Sequence, residues 1–201
     1  MGSSNNTRKY SHSEKKEPFL EHFLSWMRFR KVHKYINNNA LVADLGCGYR
    51  GYLLQKISRR IKKGVGYDIS VAKTGLPDNI ILRKTNLNKN IKNGKNYYDV
   101  VTALAVLEHV ENPKSFVKMA RSLLKKGGKF IITTPHKKSK LILEFLSNKL
   151  GLISEDEIKD HKNYFDKERL KDLLQKGGFK NVKIRTFEMG LNLLAVSQKT
   201  N

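Results

Sequence analysis

The run Gly46-Cys47-Gly48-Tyr49-Arg50-Gly51 carries GxGxxG spacing, the pattern that lets a backbone turn come close to a ligand. Asp68 follows Gly48 by about 20 residues, where a carboxylate accepts hydrogen bonds from both hydroxyls of a ribose. Asp44 stands just ahead of Gly46 and puts an anion at the mouth of the glycine turn. Further along, Leu107-Glu108-His109-Val110, then His136, and finally His161 with Tyr164 offer side chains able to take up a proton near neutral pH. His109 and His136 are the candidate general bases, and Glu108 is expected to cap or brace the turn that carries His109. A single Glu-His pair does not make a metal site, and no Cys/His cluster has zinc spacing.

These residues need strands that end where they stand. The apolar runs at 41–46, 64–69, 80–85, 98–104 and 129–135 are short, continuous and β-branched, which predicts buried strands. Helical patterns separate several of them, at about 50–61, 113–125 and 166–176. Pro113 opens the second, Gly127-Gly128 is expected to stop it, and Asp166 opens the third. Strand alternating with helix implies a parallel sheet covered on both faces. The chain finishes with two strand-like runs joined through Gly190, an antiparallel ending. The expected fold class is therefore α/β, a Rossmann-like doubly wound, mostly parallel sheet with an antiparallel C-terminal strand, plus an N-terminal helical extension. Residues 1–37 form that extension and 38–201 the ligand-binding domain, with an insertion at 136–165 that contains an apolar helical stretch, LILEFLSNKL.

In such a sheet the ligand sits beyond the carboxyl ends of the strands. Dinucleotides and nucleosides such as S-adenosylmethionine both use this geometry. A dinucleotide presents its pyrophosphate to the first turn, where Asp44 would repel it, whereas S-adenosylmethionine presents an ammonium and a sulfonium. Asp44 therefore favours the second ligand. The segments VADLGCGYRGYLL, YDIS, YDVVTALAVLEHVENP and LLKKGGKFIITTP resemble the successive motifs of the class I S-adenosylmethionine-dependent methyltransferases, especially the group acting on small molecules. The resemblance spans about residues 40–199. It implies that Gly46, Cys47 and Gly48 approach the methionine portion through their backbone, with Asp44 in or near that shell. It also implies that Asp68 holds the ribose diol and that Ile69 packs on adenine. Asn86, followed by Leu87, stands where the family often has an acid facing the adenine amino group, and an amide oxygen still accepts that bond. Ala103 and Leu104 would line the sulfonium and methyl region. An Asn/Asp-Pro-Pro-aromatic tetrad, used by members that methylate exocyclic nitrogens, is replaced here by Ala103-Leu104-Ala105-Val106. The implied activity is methyl transfer to a small-molecule or lipid- or phosphate-linked acceptor. In that setting the 136–165 insertion and the N-terminal helix would form a lid that excludes water.

Composition sets the outer bounds. The chain has 201 residues, 39% of them hydrophobic and 9% aromatic, which suffices for a packed core and excludes wholesale disorder. No apolar stretch reaches the roughly 18 residues of a spanning helix, the N-terminus lacks a secretory h-region, and Cys47 is the only cysteine. A reducing cytoplasm is the expected setting. Forty Lys+Arg against 18 Asp+Glu give a net charge of +22, which suits nucleic acid, acidic headgroups or phosphorylated substrates. The surplus is mostly lysine, dispersed along the chain, so composition alone also explains it. Residues 18–36 form a basic amphipathic helix, with Arg28, Arg30, Lys31 and Lys34 late in it. It either packs on its own domain or lies peripherally on an anionic membrane. RNA as substrate, a NAD-dependent oxidoreductase and a non-catalytic cofactor-binding scaffold remain the alternatives. The first lacks a gathered set of stacking aromatics and the second is opposed by Asp44.

Overall fold

Hydrophobic runs without polar alternation become strands buried on both faces, and here seven strands align in one sheet. The computed structural model describes residues 19–89, 91, 94–139 and 163–200. Within them lie α1 (Phe19–Val32), β1 (Leu41–Leu45), α2 (Tyr52–Ile57), β2 (Lys63–Asp68), β3 (Ile80–Lys84) and β4 (Tyr98–Leu104). There follow α3 (Pro113–Leu123), β5 (Leu124–Pro135), α4 (Lys167–Lys176), β6 (Phe179–Phe187) and β7 (Asn192–Lys199). The strand order is β3-β2-β1-β4-β5-β7-β6. All neighbours are parallel except β5 with β7 and β7 with β6, so the expected antiparallel ending is present. The chain runs outward from β1 to β3 and then resumes at β4 on β1's other side. That reversal opens a crevice at the carboxyl ends of β1 and β4.

Each face of the sheet has its own core. On one, α3 and α4 bury Phe116, Val117, Leu123, Leu170 and Leu174 against β4, β5 and β7, with Phe130 and Phe179 stacked at 5.3 Å between ring centres. The other is covered by α2 and the end of α1, where Val32, Ile36, Leu54 and Ile57 pack on Val42, Val100 and Ile131. The end of the N-terminal helix thus spends its apolar side on the domain. Phe29 adds an edge-on contact with Tyr52. Trp26 stays exposed under the Arg30 guanidinium, 4.9 Å from its ring centre. Among the described residues no helix is long and apolar enough to cross a membrane.

Helix ends follow local chemistry. Asn112 caps α3 by accepting the Ser115 N–H at 3.0 Å, with Pro113 in the first turn, and Asp166 caps α4 by accepting the Arg169 N–H at 2.8 Å. Three boundaries depart from expectation. The predicted 18–36 helix is α-helical to Val32 and then tightens into a 3-10 turn, His33–Tyr35. The predicted 50–61 helix is six residues long and also ends in a 3-10 turn, because Gly51 at its start is left-handed, with φ 63°. Gly127-Gly128 does not stop α3, which ends at Leu123. The pair lies inside β5, where Leu124 faces Tyr98 but Lys129 already faces Val100. A Cβ on Gly128 would stand 3.0 Å from the Lys125 carbonyl oxygen, so glycine makes room for that bulge. The apolar helix predicted within 136–165 and His161 fall outside the described residues.

Candidate active site at the carboxyl ends of the central strands

β1 ends in Leu45 and turns at Gly46, whose N–H donates to the Tyr67 carbonyl of β2 at 2.8 Å. Gly46 is left-handed, with φ 74°, and a Cβ there would fall 2.3 Å from Cγ2 of Val106. Glycine is thus required twice, for the turn and for the close approach of the β4 loop. Gly48 is also left-handed, with φ 71°, but a Cβ there would meet nothing within 4 Å. The turn is open on that side. Its N–H donates to Oδ2 of Asp68 at 2.9 Å, and the Ser70 N–H reaches Oδ1 at 3.4 Å, so the two predicted motifs are joined directly. Cys47 points inward, into space that a side chain on Gly66 would occupy, and burial raises its thiol pKa. It is a packing residue whose backbone alone faces the turn.

Asp44 lies buried in β1, 3% exposed, and accepts the Thr102 hydroxyl at 2.6 Å. Burial pushes its pKa from 3.8 to about 7; the Thr102 bond opposes the rise and the Asp68 charge adds to it. No cation among the described residues offsets that burial. A ligand with an ammonium or sulfonium at this turn would do so, and the carboxylate of Asp68 remains oriented at the rim for a diol. The donor set therefore fits S-adenosylmethionine and disfavours a pyrophosphate.

Other predicted positions are placed differently. Ile69 is exposed beside Asp68, as a surface for a flat ring requires. Leu87 is half-buried against the α3 core, and Asn86 turns its Oδ1 onto the Asn88 N–H at 2.9 Å. One lone pair of that oxygen is thus committed locally. Ala103 is wholly buried in the core, so only its backbone belongs near the crevice, and Leu104 packs toward the α1/α2 face. The small cavity between the β3 loop and α3, about 60 Å³, is lined by Leu87, Asn88, Glu111 and Phe116 and by none of the carboxylates Asp44, Asp68 or Glu108.

On the β5 side the crevice becomes polar. Ala105 is forced left-handed, with φ 55°, while its N–H donates to both the carbonyl (3.0 Å) and the hydroxyl (3.1 Å) of Thr133. A strained alanine holds the β4 loop against β5. Glu108 is buried, accepts the Thr134 hydroxyl at 3.0 Å, and has its pKa pushed from 4.5 to about 7 by burial. His109 sits half-buried in the same turn, its N–H donating to the Val106 carbonyl at 3.0 Å. His136 follows β5, is 8% exposed, and accepts the Lys138 N–H on Nδ1 at 3.1 Å. The neutral ring therefore carries its hydrogen on Nε2 and offers a donor there. Burial, then the Lys138 charge, lower its pKa. Among the described residues no group of three His, Cys, Asp or Glu side chains could hold a metal ion.

Two residues that sequence reasoning did not single out for the site stand near Glu108: Glu188 in the β6–β7 turn and Arg28 in α1. The charge of Arg28 acts on both carboxylates. Arg28 was legible only as part of a basic helix, and nothing local marks Glu188.

A parallel nucleotide-type sheet with a glycine turn, a rim carboxylate and a buried carboxylate that awaits a cation defines a class of nucleoside-binding transferases. Residues 19–184 match the family profile of a methyltransferase domain. The ubiquinone biosynthesis O-methyltransferase of Acinetobacter baumannii (strain ACICU) is 31% identical over 111 residues, 51% of this chain and 46% of that protein. Its Nitrosomonas europaea counterpart is 30% identical over 132 residues, 61% and 56% of the two chains. The chain thus spans about half the length of the curated relatives it matches. The crystal structure of an S-adenosylmethionine-dependent methyltransferase from Mesorhizobium loti superposes with a TM-score of 0.67 at 16% identity, over 90% of this chain and all of that one. The chain belongs to the methyltransferase-domain family, with the Rossmann-like class I fold of its S-adenosylmethionine-dependent members.

Proposed function

We propose that this protein transfers a methyl group from S-adenosylmethionine to a small-molecule acceptor, and that the accepting atom is a hydroxyl oxygen. The buried Asp44 behind the Gly46 turn carries the cofactor half of this reading, because beyond the Thr102 hydrogen bond no cation among the described residues offsets its burial, and a cationic ligand would. The oxygen acceptor is supported by the relatives, which are named as O-methyltransferases.

When bound, the cofactor supplies a methyl group already activated on a sulfonium. The chain's own contribution is positioning and exclusion of water. Asp44 would hold the ammonium end through charge, and Gly46 and Gly48 would let the backbone close on it. Asp68, fixed by the Gly48 N–H, would accept the ribose hydroxyls, with Ile69 and Leu87 beside the base and the remaining lone pair of the Asn86 amide oxygen toward its edge. Val106, seated on Gly46, and Leu104 close the apolar wall beside the reacting centre. His136 presents an Nε2–H at the acceptor side and orients the acceptor as a donor; His109 braces the β4 loop.

Thermal unfolding of wild type and Asp68→Ala with S-adenosylmethionine, S-adenosylhomocysteine or NAD tests the cofactor half. Ligand at 100 times its Kd stabilises the folded state by about 2.7 kcal/mol. For a chain of this size that is a rise of roughly 5–10 °C. The expected result is such a rise with the two sulfur nucleosides alone, largely lost in the variant. A rise with NAD alone, or with no ligand, would overturn the assignment.

A further inference from the structure

Four residues far apart in sequence converge on the β5 side of the crevice. Arg28 comes from α1, Glu108 from the β4 loop, Thr134 from the end of β5 and Glu188 from the β6–β7 turn. Thr134 donates to Glu108, and the Asn192 amide donates to Oε2 of Glu188. The remaining valences are open. Nε of Arg28 and Oε1 of Glu188 are both buried and have no hydrogen-bond partner among the described residues. Arg28 bears electrostatically on Glu108 and Glu188, yet forms an ion pair with neither. A buried donor and a buried acceptor left without partners are costly.

The turn that aims Glu188 is itself held at a cost. The Gly190 N–H donates to the Phe187 carbonyl at 3.1 Å, which makes Glu188 and Met189 the central pair of a hairpin turn. Both are left-handed, with φ 51° and 52°, in positions that ordinarily take Asn or Gly. Met189 is 99% exposed, so its side chain gives nothing back. A strained turn therefore carries a carboxylate with one buried oxygen unpartnered, within the electrostatic reach of a guanidinium whose Nε is also unpartnered.

We propose that Arg28 and Glu188 form the acceptor-recognition subsite, binding a hydroxyl group of the acceptor: the Arg28 Nε–H donates to its oxygen and Oε1 of Glu188 accepts its hydrogen. A hydroxyl is a neutral group that satisfies both open valences at once, accepting from Nε–H and donating to Oε1. The subsite rests on the methyltransferase reading above, since it lies on the acceptor side of the cofactor crevice. It also gives α1 a role beyond packing: the helix end buries Val32 on the domain and carries Arg28 one turn earlier, where its charge acts on Glu108 and Glu188.

The test uses phenol and anisole, an apolar ring with and without the hydroxyl hydrogen, titrated at matched concentrations into protein saturated with S-adenosylhomocysteine. Binding is read from thermal shift or calorimetry. Wild type should prefer phenol by about tenfold, the scale of one hydrogen bond to a charged group. Glu188→Gln should bring the two probes level, because only the phenol hydrogen uses Oε1, and Arg28→Met should weaken both probes alike, since both carry the oxygen that Nε–H meets; each variant should leave the S-adenosylhomocysteine shift unchanged. That shift shows that each variant is folded. Equal response to both probes in wild type, response to neither, a preference that survives Glu188→Gln, or undiminished binding of both probes in Arg28→Met would overturn the subsite. Loss of the S-adenosylhomocysteine shift in wild type would instead overturn the cofactor reading.

Discussion

Replacing Asp44 with Asn should make the ligand-free protein more stable above neutral pH and remove part of its pH dependence. Asp44 is buried, and its pKa stands at about 7 against an ordinary 3.8. The gap is roughly three pH units, each about 1.4 kcal/mol, so the ionised group costs the fold on the order of 4 kcal/mol. At pH below 4 the carboxyl is protonated in both states and no cost arises. Between about 4 and 7 the unfolded chain releases the proton while the folded one keeps it, and stability falls with rising pH. Above 7 both states are ionised and the full cost is in place. Asn cannot ionise, and its carbonyl oxygen still accepts the Thr102 hydroxyl. Glu108, raised to about 7 by the same cause, titrates identically in both proteins and cancels in the difference. Urea unfolding at pH 5 and pH 8, without ligand, measures the effect. The variant should exceed wild type by several kcal/mol at pH 8 and by much less at pH 5. With S-adenosylhomocysteine at 100 times its wild-type Kd the gap at pH 8 should narrow by up to about 2.7 kcal/mol, because the ligand's ammonium compensates the carboxylate that the variant lacks. Parallel pH profiles for the two ligand-free proteins would refute the reasoning that Asp44 is held as an uncompensated buried acid.

Gly46→Ala should cost about 2–5 kcal/mol in urea unfolding, from a left-handed alanine and a methyl group 2.3 Å from Val106. Gly48→Ala, with open space above it, should cost only about 1–2 kcal/mol, yet both variants should lose S-adenosylhomocysteine binding by calorimetry. Ile36→Ala should cost about 2–5 kcal/mol, because Ile36 is 2% exposed in the core under α1 and α2. A loss below about 0.5 kcal/mol would mean that this end of the N-terminal segment is not packed on the domain.

Much of the cofactor half was legible because its signals are local. Gly46 and Gly48 announce left-handed turns, Asp44 and Asp68 lie next to strand ends, and β1 through β4 read as apolar runs of the right length. A glycine or a strand-end carboxylate has a meaning that its immediate neighbours fix. Other local readings failed where an equally local alternative won. Gly127-Gly128, a good helix stop, serves a bulge instead because Leu124 already pairs with Tyr98. Ala103 was expected at the crevice and lies in the core, since alternate residues of a strand point to opposite faces. What the sequence by itself determined was the succession of strands along the chain, the glycine turn and the position of two carboxylates at strand ends, all written in spacings of a few residues. The subsite proposed for the acceptor depends on the tertiary structure. Arg28, Glu108, Thr134 and Glu188 have no common spacing, and they meet only because β7 returns antiparallel beside β5 and α1 folds back over the sheet. Burial then raises the pKa of Glu108 and Glu188 and leaves Nε of Arg28 and Oε1 of Glu188 without partners among the described residues. Neither quantity exists until the chain has closed around them.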